Sequence, residues 1–142
     1  MGSRSRQKTP VKVLLDTHIL LWWFGDPKRL SRRQRAVVES AGRDSPLMVS
    51  EISLWEIATL VQSGRVSLDL PLREWLERAT APPLVRRLGV SPAVAAAAAA
   101  LPASFPGDPA DRIIVATARV EGATVLTQDE RIRRARVVPT LG

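Results

Sequence analysis

The chain contains no cysteine. Disulfides, zinc–thiolate sites and thiol nucleophiles are therefore excluded. It has a single histidine, His18, which rules out a histidine-rich metal site and leaves a Ser-His-Asp triad without support. Long apolar runs are missing as well. The longest, Ala93–Leu101, is too short and too rich in alanine to span a bilayer. Internal repeats and linker-like stretches are absent from the sequence, and acid is in deficit: 14 Asp+Glu stand against 21 Lys+Arg, a net charge of +7. That surplus favours a polyanion as partner, although a basic balance alone does not require one.

What is present fits one folded domain. A length of 142 residues with 45% hydrophobic content is enough to bury a continuous core. Residues 1–10, MGSRSRQKTP, are basic and polar and lack the apolar segment of a secretory signal. They read as a flexible basic arm, native or in part a cloning remnant, ahead of a domain over residues 11–142. A cytoplasmic protein without a membrane segment is the expectation.

Apolar patterning predicts strands at Val11–Leu15, Leu47–Val49, Leu84–Val90, Thr124–Thr127 and Val137–Val138. Between them it predicts helices over Thr17–Phe24, Arg32–Ala41, Glu51–Ser63, Leu72–Arg78, Pro92–Leu101 and Pro109–Glu121, with a short turn of helix after Asp129. Ser31, Ser91 and Asp108 sit where N-caps belong, and Gly64 and Gly122 where helices stop. Strands alternating with helices imply an α/β domain with a mainly parallel sheet.

Four acids lie against strongly apolar sequence, where a carboxylate is costly to desolvate. Asp16 follows the first strand, and Asp129 follows the strand at Thr124–Thr127 by two residues. Both would lie at the carboxyl edge of a parallel sheet, where open α/β sheets bind ligands. Each also reads as a cap on the helix behind it. Glu56 has Ile52 and Leu60 as its i±4 neighbours, so it shares a helix face with core residues. Asp111 opens the apolar helix Ile113–Ala118, where it could simply complement the helix dipole; Asp108 needs no account beyond its N-cap, with a supporting place behind these four acids, alongside Thr17 and Thr127, as the alternative. Taken together, two strand ends and two helix starts could bring four carboxylates to one end of one sheet. Such a cluster could not stay ionised unaided. A hard divalent cation resolves the conflict, and oxygen-only donors point to Mg²⁺ or Mn²⁺ activating water for phosphoryl displacement. Thr17 and Thr127 are placed to orient a carboxylate or water, or else to satisfy backbone groups.

The segments LLDTHILLWW, SEISLWEIATLVQSGRVSL and DPADRIIVATARVEGATVLTQDERI, in that order, closely resemble PIN-domain ribonucleases. More narrowly, they resemble the VapC-type toxins of bacterial type II toxin–antitoxin modules. The likeness runs from Val11 to about Val138, and it is the combination of motifs that is specific. It implies a PIN-like α/β/α sandwich and a Mg²⁺- or Mn²⁺-dependent endoribonuclease site. The family's acids fall on Asp16, Glu56, Asp111 and Asp129. It further implies an RNA substrate, a homodimer, and a VapB-type antitoxin whose tail occupies the groove. Ala110 stands where related toxins often have phenylalanine, the approach Ala103–Gly107 lacks their histidines, and the tail Arg134-Ala135-Arg136 lacks an aromatic often found there. These changes flank the acids without replacing them.

Arginines at Arg29–Arg35, Arg86-Arg87 and Arg131–Arg136 could form a positive rim, with Arg112, Arg131, Arg133 and Arg134 as phosphate contacts; each cluster also reads as a solvated helix face. Trp22, Trp23 and Trp55 could stack on bases, but their apolar neighbours favour core or subunit interface. Competing readings are a PIN nuclease of RNA processing and a non-catalytic nucleic-acid or partner-binding module. A haloacid-dehalogenase-type phosphatase would need an acid where His18 stands, and a receiver domain would need an early acidic pair and a late lysine.

Overall fold

The structure is a computed structural model that describes residues 11–142; the basic arm expected over residues 1–10 lies outside them. Five strands form one sheet in the order β3-β2-β1-β4-β5: β1 Val13–Leu15, β2 Leu47–Ser50, β3 Val85–Leu88, β4 Thr124–Leu126 and β5 Thr140–Leu141. Every neighbouring pair is parallel, with Leu14 opposite both Met48 and Val125. Seven α-helices connect them: α1 Thr17–Gly25, α2 Arg32–Glu39, α3 Glu51–Gln62, α4 Leu72–Ala79, α5 Pro92–Ala99, α6 Pro109–Glu121 and α7 Glu130–Ala135.

Alternation along the strands builds the two outer layers. Side chains of a strand point to opposite faces in turn. Leu15, Val49 and Leu126 accordingly pack with Ile19, Leu20, Ile57 and the buried Trp75 on one face. Leu14, Met48 and Val125 pack with Ile114 and Ala118 of α6 on the other. A smaller cluster of Leu101, Phe105, Val115 and Ile132 joins α6 to α7. The result is the α/β/α sandwich expected from the sequence.

Helix ends follow local chemistry. Ser31 and Gln34 form a reciprocal capping box on α2, and Ser91 caps α5. Gly122 closes α6 with φ of 66°, a left-handed conformation that costs glycine nothing. Helix α5 stops at Ala99, two residues before the expected end at Leu101. Pro102 disfavours helical backbone in the residue preceding it, and Leu101 turns inward to join the third cluster.

The last strand departs from expectation. Val137–Val138 is not a strand; the pairing falls on Thr140–Leu141. Arg136 takes a left-handed conformation at the end of α7, and Val137 and Val138 pack against the core below the sheet. Only beyond them does the chain reach the edge of β4, where Val125 donates its N–H to the Pro139 carbonyl and Thr127 to that of Leu141.

Parallel connections place the functional residues at one edge. Helices between parallel strands run back against them, so the chain leaves each strand, and α6 begins, at the carboxyl edge of the sheet. The chain order reverses between the central β1 and β4. That switch point is where such sheets leave a crevice.

Candidate active site

A cleft of about 600 Å³ opens at this switch point, and Asp16, Glu56, Asp108, Asp111 and Asp129 all line it, with Thr17, His18, Trp22, Arg65 and Arg131. The four acids singled out from the sequence therefore meet in one place.

Asp16 is buried directly after β1 and caps α1, its Oδ1 accepting the N–H groups of His18 at 2.9 Å and Ile19 at 3.3 Å. The cap reading and the cleft reading hold together, because Oδ2 is turned across the crevice to the Thr127 hydroxyl, which donates to it. Thr127 in turn accepts the Asp129 N–H at 3.0 Å, so one hydroxyl ties the ends of β1 and β4. Burial pushes the Asp16 carboxyl above the usual carboxylate range, against the pull of the Thr127 and backbone hydrogen bonds.

Glu56 projects from α3, whose start is capped by the buried Ser50. The Thr17 hydroxyl bonds Glu56 Oε1 and lies 3.0 Å from the Ser53 hydroxyl. With one proton to give, Thr17 donates to the carboxylate and accepts from Ser53. Hydroxyl partners thus orient both members of the Asp16–Glu56 half.

The other half is built differently. Asp108 caps α6 by accepting the N–H groups of Ala110 at 2.9 Å and Asp111 at 3.3 Å. Asp111 then stands in the first turn with its side chain only 14% exposed. Its carboxyl is pushed up to about 7, first by burial, then by the charges of Asp108, Asp129 and Glu56, with Arg131 opposing them. Asp129 caps α7, and the hydrogen bond from Arg131 is the main cause holding its carboxyl below the usual range. Arg131 Nη2 donates to Asp111 Oδ2 at 3.2 Å and to Asp129 Oδ2 at 3.0 Å.

Among the described residues, no three acids stand close enough together to enclose an ion as the side chains lie. The chemistry of the donors nonetheless suits a hard divalent cation, since every candidate ligand is a carboxylate or hydroxyl oxygen. Like charges crowd Asp111, and a single cationic nitrogen already bridges it to Asp129.

Of the arginines expected at a phosphate-binding rim, only Arg131 lines the cleft. Arg112 is turned elsewhere: its guanidinium donates to the carbonyls of Ala98, Leu101 and Phe105, pinning the chain that approaches α6. Arg133 and Arg134 pair with Glu130 on α7 and line a separate shallow depression. Arg65, just past the end of α3, lines the acidic cleft and was not singled out from the sequence. Nothing local marks it, since it follows Gly64 in a polar turn. Gln34 was also missed. Fully buried within an arginine-rich helix, it donates to the Leu141 carbonyl at 3.1 Å and accepts from Ser31 N–H and Gln128 Nε2 at 3.1 Å, bracing the chain beside Thr127. Trp22 is half-buried at the cleft, whereas Trp55 is 61% exposed on the outer face of α3.

A parallel sheet with an acidic crevice at its switch point suits metal-assisted phosphoryl chemistry, and the PIN-domain family model matches residues 13–138. The chain is 44% identical to Ribonuclease VapC22 of Mycobacterium tuberculosis over 124 residues, 87% of this chain and 92% of that protein. It belongs to the PIN-domain family and, within it, to the VapC-type ribonuclease toxins. Its fold is shared with VapBC2 from Rickettsia felis bound to a promoter DNA fragment, at a TM-score of 0.68 and 14% identity over 92% of this chain and 98% of that one. It is shared also with FitAcB from Neisseria gonorrhoeae, at a TM-score of 0.64 and 24% identity over 92% and 96%.

Proposed function

We propose that this VapC-type toxin hydrolyses RNA phosphodiesters in the crevice between β1 and β4, using Asp16, Glu56, Asp111 and Asp129 to hold Mg²⁺ or Mn²⁺. The observation that carries the reading is the convergence of all four carboxylates on one cleft rimmed by Arg65 and Arg131 in a protein of net charge +7. When bound, the ion lowers the pKa of water and offsets charge on the phosphoryl oxygens. The chain's own residues do the rest. Thr127 keeps Asp16 aimed across the crevice, and Thr17 with Ser53 does the same for Glu56. Arg65 and Arg131 draw the phosphate backbone toward the acids in a salt-dependent manner.

The same reading takes a single PIN domain over residues 11–142 acting in the cytoplasm; no helix of the described residues is long and apolar enough to cross a membrane. It takes a VapB-type antitoxin as partner, supported by fold relatives that are toxin–antitoxin complexes. It also takes a homodimer, for which the exposed Trp55 on α3 supplies an apolar surface that a lone protomer leaves in water.

The test is cleavage of total tRNA and ribosomal RNA by the purified protein with Mg²⁺, Mn²⁺ or EDTA. Discrete fragments that require metal and vanish in Asp16→Asn and Asp111→Asn are expected. Metal binding without cleavage of either RNA would leave the site and remove the substrate class. Absence of both would make the acids helix caps and the protein a binding module.

A further inference from the structure

Arg131 is held in an unusual way for an exposed arginine. Its side chain is 60% exposed, yet Nη2 bridges Asp111 Oδ2 and Asp129 Oδ2, while Nε reaches Asp129 Oδ1 at 3.3 Å. One cationic nitrogen therefore sits on an oxygen from each of two proposed metal ligands. A divalent cation would need these same oxygens, and a guanidinium held against them repels it. The rest of the site is prepared for the guanidinium to leave. Asp129 keeps its Oδ1 bond to the Arg131 backbone N–H at 2.8 Å, so α7 stays capped when the side chain swings away. Asp111 is fixed by its place in the first turn of α6, behind the Asp108 cap, and needs no arginine to stand there. Once released, the guanidinium remains on the rim of the cleft that Arg65 also lines, where a phosphate is its natural partner.

We propose that Arg131 is a built-in stand-in for the divalent cation: it bridges Asp111 and Asp129 in the metal-free protein, competes with the ion for them, and on release receives a phosphate of the RNA. This rests on the proposed metal site and assigns one residue two successive positioning roles. A surface arginine that merely decorates α7 would do neither, and its neighbours Arg133 and Arg134, paired only with Glu130, are the internal comparison.

The experiment is Mn²⁺ titration of the full chain without RNA, followed by the electron paramagnetic resonance signal of free Mn²⁺, for wild type, Arg131→Gln, Arg131→Lys, Arg134→Gln and Asp111→Asn. Arg131→Gln is expected to bind Mn²⁺ about three- to tenfold more tightly than wild type, the range of a partly exposed pair of charge-assisted bonds. Arg131→Lys, which keeps the charge but not the fork, should fall between, and Arg134→Gln should match wild type. Filter binding of labelled total tRNA with Ca²⁺ in place of Mn²⁺, a hard cation that fills oxygen sites but activates water poorly, should then show weaker binding for Arg131→Gln and near-full retention for Arg131→Lys. Unchanged or weaker Mn²⁺ affinity in Arg131→Gln, with wild type binding the ion, overturns the competition. Unchanged tRNA affinity overturns the second role. Failure of wild type to bind Mn²⁺, or binding untouched by Asp111→Asn, sinks the metal site itself, a result distinct from either.

Discussion

The two halves of the acidic cleft solve the same electrostatic problem by opposite means. On one side, Asp16 and Glu56 are oriented by neutral hydroxyls, Thr127 for the first and Thr17 for the second. On the other, Asp111 and Asp129 are drawn together by a full positive charge on Arg131. Hydroxyls aim a carboxylate without cancelling it, so the buried half keeps its demand for a cation. The guanidinium offsets only part of the charge around Asp111, and it rests on an exposed, flexible stem, so it can be exchanged. A rigid, uncompensated half facing a half with a removable counter-ion is a cleft disposed to take up a divalent cation.

The sharpest way to break this comparison is to remove one carboxylate from each side. Asp16→Asn and Asp111→Asn are each expected to lower RNA cleavage on the order of a thousandfold, and the double variant little further, because groups that act as a unit are not additive. Substantial activity in Asp16→Asn alone would reduce Asp16 to its capping role and leave only the arginine-bearing half catalytic.

A second test isolates Asp111 by pH in the metal-free protein, since burial raises the Asp16 carboxyl of the other half as well. The Asp111 carboxyl titrates near 7 when folded, against about 3.9 unfolded. Between those values the folded chain holds a proton that the unfolded chain has lost, so stability falls as pH rises from about 4 to about 7. Asp111→Asn carries no such proton. It should unfold at higher denaturant than wild type at pH 8, by on the order of 1 to 4 kcal/mol, with the difference gone near pH 4. A constant difference across that range would show that Asp111 is not strained by its neighbours.

Smaller effects come from the hydroxyls. Thr127→Val leaves the buried Asp16 oxygen without its donor and should cost about 1 to 3 kcal/mol of stability. Cleavage should drop roughly 10- to 100-fold, the usual effect of losing a group that orients a ligand. Thr17→Val should cost less in both, near the lower end of that activity range, because Glu56 is only half-buried. Equal losses would mean that the two hydroxyls carry equal weight and that burial does not set their importance.

Much of the cleft is legible in the sequence. Asp16, Glu56, Asp111 and Asp129 stand out because a carboxylate beside an apolar run needs a reason; Asp16, Asp111 and Asp129 also occupy junctions at one edge of the sheet, whereas Glu56 lies mid-helix and only packing brings it there. Thr17 and Thr127 were legible for the same cause, each being the hydroxyl nearest such a junction. The arginines were not. Arg112, Arg133 and Arg134 look as eligible as Arg131, yet three carbonyls claim the first and Glu130 the other two. A long flexible side chain can reach several partners, and local sequence does not say which is within reach.

The closing strand shows the same limit in the backbone. Val137 and Val138 have strand character, but the edge of β4 is met only at Thr140–Leu141, after the chain has left α7 through a left-handed Arg136. Gln34 is the converse case, a polar residue in a charged helix that is buried because the ends of β4 and β5 offer it carbonyls. The sequence by itself determined the alternation of strands and helices, the caps, the absence of thiol chemistry, and which four acids lie against apolar sequence, since each depends on near neighbours and on the desolvation cost of one group. Only the tertiary structure decided which arginine faces those acids, where the last strand pairs, and that one pair of carboxylates is served by hydroxyls and the other by a cation. Those outcomes depend on distances between residues remote in the chain, and packing of the whole sheet sets them.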